Sequence, residues 1–152
     1  MAGTIYVAKT TAEQLLASSS DQVLVQLISP SSITIKIKEW GVFFDGVSVT
    51  AEPVLVKMYY SNSSFGEWTT HVPVKRAGRP ALSQCTIRTL DTSCGHGHDS
   101  SGIICIREIH PQSGYQEKFS YGDEPEVYNN ILNIYVNSPT SCNCVAELVW
   151  EE

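Results

Sequence analysis

Charge is scarce in this sequence: 17% of its residues are Asp, Glu, Lys or Arg, against roughly 25% in an average soluble protein. Ser, Thr, Asn, Gly and Val take the surface positions instead, a composition that suits strands, turns and wide contact surfaces. Positive charge is scarcer still, with 10 basic against 16 acidic residues and a net charge of −6. Phosphate binding needs clustered Lys and Arg, so nucleic acid is excluded as a main partner. The densest basic stretch, Lys75-Arg76-Ala77-Gly78-Arg79, is bounded by Gly78 and Pro80, which predicts a solvated connection. No apolar run approaches the ~18 residues of a membrane helix, and Met1-Ala2-Gly3-Thr4 lacks the basic and apolar regions of a secretory signal. The expectation is a soluble chain with no membrane partner, made in a cytoplasm, whose five cysteines stay reduced; the odd count leaves at least one free in any case.

Catalytic signatures are missing too. There is no Gly-x-Ser-x-Gly elbow, no phosphate-binding loop ending in Lys-Ser/Thr and no dinucleotide fingerprint. The expectation is therefore a binding protein that is not an enzyme and needs no cofactor. Asp123-Glu124 and Glu151-Glu152 read as solvated surface, because a general acid needs burial or a close partner to tune its pKa. His71 and His110 flank strands and read as structural.

What is present is alternation. In Ile33-Thr34-Ile35-Lys36-Ile37-Lys38 the isoleucines share one face, the signature of a sheet with one side buried. Trp40, Val42 and Phe44 continue the apolar face with the opposite parity, which predicts a bulge or bend near Lys38-Glu39. Asp45-Gly46 then turns toward Val47-Ser48-Val49, a hairpin-like signal. Further strands are expected at Val23 to Ile28, Val54 to Tyr60, Thr69 to Val74, Cys85 to Leu90, Ile103 to His110, Tyr115 to Tyr121, Ile131 to Asn137 and Asn143 to Trp150. Short strands with Ser-, Pro-, Gly- and Asn-rich punctuation predict an all-β, antiparallel, jelly-roll-like sandwich. At 152 residues and 42% hydrophobic content it closes one core, a single domain over 1–152. Thr10 and Glu13 have capping-box spacing, which predicts a short helix over Thr11 to Ala17. Within 1–20, the stretch with Gly3 to Lys9 reads alternatively as an N-terminal arm reaching a neighbouring subunit.

One loop could carry chemistry. Cys94-Gly95-His96-Gly97-His98 places a thiol and two imidazoles in a Gly-rich stretch, with Asp99, Cys142 or Cys144 as a fourth ligand. No CxxC or HExxH spacing supports a metal there, and the cupin pattern fails because the next glutamate is Glu108. Cys142 and Cys144 share a strand face with Ala146, Leu148 and Trp150 and read as small core hydrophobes. Tyr59-Tyr60 must split between faces, so one of the two is expected to be exposed.

Three segments carry a resemblance: residues 1–17; Ile35-Lys36-Ile37-Lys38-Glu39-Trp40-Gly41-Val42-Phe43-Phe44-Asp45-Gly46 running on to Pro53-Val54-Leu55-Val56; and His110-Pro111-Gln112-Ser113-Gly114-Tyr115. Together with the closing Leu148-Val149-Trp150-Glu151-Glu152, they resemble small bacteriophage virion proteins of the capsid decoration (cement, head-stabilising) type. In that family a Gly-Gly step stands where this chain has Ser113-Gly114, and the Cys- and His-rich loop departs from the pattern. The resemblance implies binding without turnover to the outer surface of the major capsid protein lattice, in the virion, by a homotrimer made in the host cytoplasm. Tyr6, Lys9, Trp68, His110 and Tyr115 are the candidate contact regions. The alternatives are a tail or fibre adsorption module binding host surface glycans and, more remotely, a metal-dependent jelly-roll enzyme using His96 and His98.

Overall fold

A computed structural model describes residues 3–10, 13–19, 21–45, 52–61, 68–78, 81–90 and 102–152. All regular structure among them is strand: β1 (Ile5–Lys9), β2 (Gln14–Leu16), β3 (Asp21–Ile28), β4 (Thr34–Phe44), β5 (Val54–Ser61), β6 (Trp68–His71), β7 (Val74–Ala77), β8 (Thr86–Leu90), β9 (Ile103–Ile109), β10 (Gly114–Lys118), β11 (Glu126–Tyr128), β12 (Ile131–Asn137) and β13 (Cys142–Glu151). They form two antiparallel sheets packed as a sandwich. Sheet A runs β10-β4-β13-β1-β7, with β11 also on β4 and β2 also on β13; sheet C runs β6-β8-β3-β12-β5-β9. Four pairings are nested: β1 with β13, β3 with β12, β4 with β10 and β5 with β9. The first half of the chain thus lies antiparallel to the second, like one long hairpin folded over itself.

The core follows from the alternation. Ile35, Ile37, Trp40 and Val42 of β4 are fully buried, facing Val56, Met58, Leu132, Ile134 and Val136 from sheet C. The parity change in β4 is a bulge. Val149 and Trp150 are consecutive on β13 yet lie opposite Glu39 and Ile37, which leaves Lys38 without a cross-strand partner. Cys142, Cys144, Ala146, Leu148 and Trp150 line the inner face of β13 as the sequence predicts, and Cys85, Cys105, Cys142 and Cys144 are free thiols. Strands β3 and β12 are buried on both faces. The side of sheet C turned away from the main core holds a second cluster of Val23, Tyr59 and Tyr135, beside a buried pair in which Gln26 Nε2 donates to Asn133 Oδ1 (2.9 Å).

Several expectations are corrected. Residues 14–16 are strand and no α-helix occurs among the described residues; Thr11 and Ala12 lie outside them. The reason lies in Thr10, which binds across the sheet instead of capping a helix: its N–H donates to Ala146 O (3.0 Å) and its Oγ1 accepts from Ala146 N–H (3.2 Å). Residues 5–9 are not a free arm but a sheet strand between β13 and β7. Thr69 to Val74 is two strands, because Pro73 has no N–H for a ladder and the chain crosses there from sheet C to sheet A. Lys75 to Ala77, expected as a loop, is the edge strand of sheet A. The signal at Val47-Ser48-Val49 lies outside the described residues.

Candidate functional site

The two long sides of the sandwich, where the sheet edges face each other, are built differently. On one side β9 of sheet C meets β10 of sheet A, and a polar cluster closes the seam. Arg107 Nε donates to Tyr115 Oη (2.8 Å), and its NH2 group contacts Glu117 at 3.3 and 3.4 Å. Tyr115 Oη donates to Glu117 Oε2 (3.1 Å), and so does the indole N–H of fully buried Trp40 (3.2 Å). The guanidinium also lies over the Tyr115 ring, 5.4 Å from its centroid. One carboxylate thereby satisfies three donors from three strands.

On the opposite side, where β1 and β7 face β6, the seam is open. A groove of about 430 Å³ is lined, among the described residues, by Val7, Ala8, Lys9, His71, Val72 and Val74. Val72 and Val74 are 81% and 65% exposed. The His71 ring is held by a short hydrogen bond to Thr89.

The outward face of sheet A carries the electrostatics. Lys38, pushed outward by the bulge, binds Glu124 (2.8 Å) and Glu151 (2.6 Å). The Lys38 ammonium and then the Gly122 N–H hold the Glu124 carboxyl down at about 2, and the same lysine lowers Glu151. Next to it, Glu39 is buried among Arg76 (3.5 Å), Lys118 (3.6 Å) and the Gln116 amide. Glu124 and Glu151, expected as free surface carboxylates, are thus ion-pair partners. So is Glu152 engaged, accepting from Gln84 N–H (2.9 Å), Trp150 Nε1 (3.1 Å) and Ser83. The other end of the face is apolar, with Leu15 67% and Phe43 38% exposed. The Phe43 ring lies against Gly114 where any Cβ would collide with it, a steric reason for glycine in the His-Pro-Gln-Ser-Gly-Tyr turn.

The candidate contact residues do not share one place. Tyr6 is buried, stacked on Trp150 at 5.9 Å between centroids, with its hydroxyl donating to Ala81 O (3.1 Å); burial raises its pKa. It therefore offers no free surface. Tyr115 belongs to the closed seam. His110 is exposed in the turn before β10, where its carbonyl accepts from Ser113 N–H (3.0 Å). Trp68 opens β6 opposite Leu90. Lys9 is exposed at the rim of the groove. Of the pair Tyr59-Tyr60, expected to expose one ring, Tyr59 is buried and Tyr60 is half-buried with its hydroxyl on Glu126 O (2.7 Å). Among the described residues the exposed aromatics are Tyr121 at 93%, Tyr128 at 58% and Phe43 at 38%.

Cys94, His96 and His98 lie outside the described residues, and among the described ones no three His, Cys, Asp or Glu side chains are placed to hold a metal ion. The groove and the closed seam had no signal in the sequence, because their parts come from strands far apart in the chain. Comparisons with protein-family models, with curated proteins and with solved structures returned no match.

Proposed function

We propose that this chain is a bacteriophage capsid decoration protein, a homotrimer that binds the outer surface of the major capsid protein lattice and stabilises the head. The observation that carries the reading is where the family-like segments fall. Residues 5–9, 14–16, 35–44, 114–115 and 148–151 lie in β1, β2, β4, β10 and β13, which are neighbours in one sheet, while 54–56 fall in β5 of the other. The nested strand order supports the finer description as a jelly roll, two Greek keys wrapped into a sandwich. A stiff sandwich with a mixed apolar and ion-paired outer face suits many modest contacts over a wide footprint, which repetition over a lattice turns into avidity.

The test is co-sedimentation of the purified chain with matching capsids stripped of decoration, followed by counting bound copies. Saturable binding in lattice-like numbers is the expected result; no binding, with the protein found at the tail, overturns it. A second reading, an adsorption module for host surface glycans, draws on Tyr121 and Tyr128, whose exposed rings are suited to stacking on sugars. Binding of a glycan array by wild type and its loss in a Y121A/Y128A variant would favour that reading.

A further inference from the structure

We infer that the groove beside β1 is a docking notch for an extended strand of the capsid subunit, one that carries a carboxylate between apolar residues. The assignment deepens the decoration role and rests on it for the partner's identity.

The first argument is the backbone of β1. Thr4 and Glu152 exchange both backbone hydrogen bonds (3.0 Å each), and Thr10 N–H donates to Ala146 O. In an antiparallel ladder successive residues point their backbone groups to opposite sides. The even residues of β1 therefore face β13, and Ile5, Val7 and Lys9 face the other way. On that side β7 pairs only as far as Val7, opposite Val74. Pro73 then ends the ladder and carries the chain off to β6. No strand among the described residues pairs with Lys9 there, so its N–H and C=O point into the notch. An unpaired strand edge of this kind is a template for one more strand.

The second argument is side-chain chemistry. A strand added here would place one residue directly opposite Lys9 on the outward face, which Val74 shares as the partner of Val7, and turn its two neighbours into the groove that Ala8 and Val72 line. Lys9 is exposed, lines the groove and, like Lys57 and Lys75, has no ion pair among the described residues. The complementary residue is a carboxylate, flanked by apolar side chains.

The test begins with backbone amide NMR of the whole chain, titrated with two extended eight-residue peptides that alternate valine with glutamate or valine with lysine. The glutamate peptide is expected to shift the amides of Ala8, Lys9 and Val74. Lys9→Glu and Val72→Asp, both at exposed positions and checked for unchanged melting, are expected to weaken that binding at least tenfold. No response, an equal response to both peptides, or unaltered binding by the variants overturns the notch. The same variants are then assayed on stripped capsids. Capsid binding that both variants retain overturns the notch and leaves the decoration reading standing. Absence of capsid binding by wild type, with the peptide response intact, supports the notch as a strand site and overturns only the decoration reading. Self-association of wild type that Lys9→Glu abolishes would place a second copy in the notch and overturn the capsid strand as occupant.

Discussion

Replacing Glu117 with alanine unpicks the closed side of the sandwich at one atom group. The carboxylate accepts from the indole of Trp40, from Tyr115 Oη and from Arg107. Trp40 is fully buried, so its N–H has no water to turn to, and an orphaned buried donor costs about 1–3 kcal/mol. The Arg107 pair is more than a quarter exposed on both sides and is discounted to about 0.2–1 kcal/mol. Together the loss is about 1–4 kcal/mol. In a domain of this length each kcal/mol moves Tm by roughly 2–4 °C, so a loss near the middle of that range lowers Tm by about 5–10 °C. Differential scanning calorimetry and urea unfolding of the wild type, Glu117→Ala and Glu117→Gln would measure it. The amide keeps an acceptor for the indole and loses only the charge, so Glu117→Gln should fall by about a third as much or less. Equal losses in the two variants, or a loss below about 0.5 kcal/mol in Glu117→Ala, would refute the claim that the buried indole dominates.

Further outcomes follow from other parts of the molecule. The Glu124 carboxyl titrates near 2 when folded against an ordinary 4.5. The unfolded chain therefore binds more protons between those values, and stability is fully present above about 4.5 and falls as pH drops toward 2; Lys38→Met should flatten that slope in pH-dependent melts. Gly114→Ala forces a methyl into the Phe43 ring and is expected to cost about 1–3 kcal/mol, with most of the loss recovered when Phe43→Ala is added, as urea midpoints would show. Burial pushes the Cys85, Cys142 and Cys144 thiols up, so mass-spectrometric mapping of alkylation at pH 8 should find these three unmodified until urea unfolds the chain.

How far the fold could be read from sequence depended on whether one face of a strand met the core. β12 was bounded correctly at Ile131 and Asn137, and the bulge at Lys38 was visible because isoleucines on odd positions gave way to Trp40 and Val42 on even ones. β7 was invisible since all four of its residues are exposed and no alternation survives at an edge. The Thr10 and Glu13 spacing suggested a cap that the hydroxyl does not make. β11 is three residues long, too short for any period to register. The open notch beside Lys9 depends on where β7 stops pairing, a property of register between strands about 65 residues apart along the chain and therefore beyond local pattern.

The nested pairing also sets a timetable for synthesis. β13 is the central strand of sheet A, bonded to β4 on one side and to β1 and β2 on the other. A nascent chain that has not yet delivered residues 142–151 holds β1 and β4 with no strand between them. At ordinary translation rates the ribosome needs about 5–20 s to go from the end of β4 to the end of β13, and for that interval the apolar faces of both strands wait uncovered. Sheet A therefore assembles after translation of its own last strand, and anything that pauses the ribosome in the second half of the message lengthens the period in which this chain can aggregate.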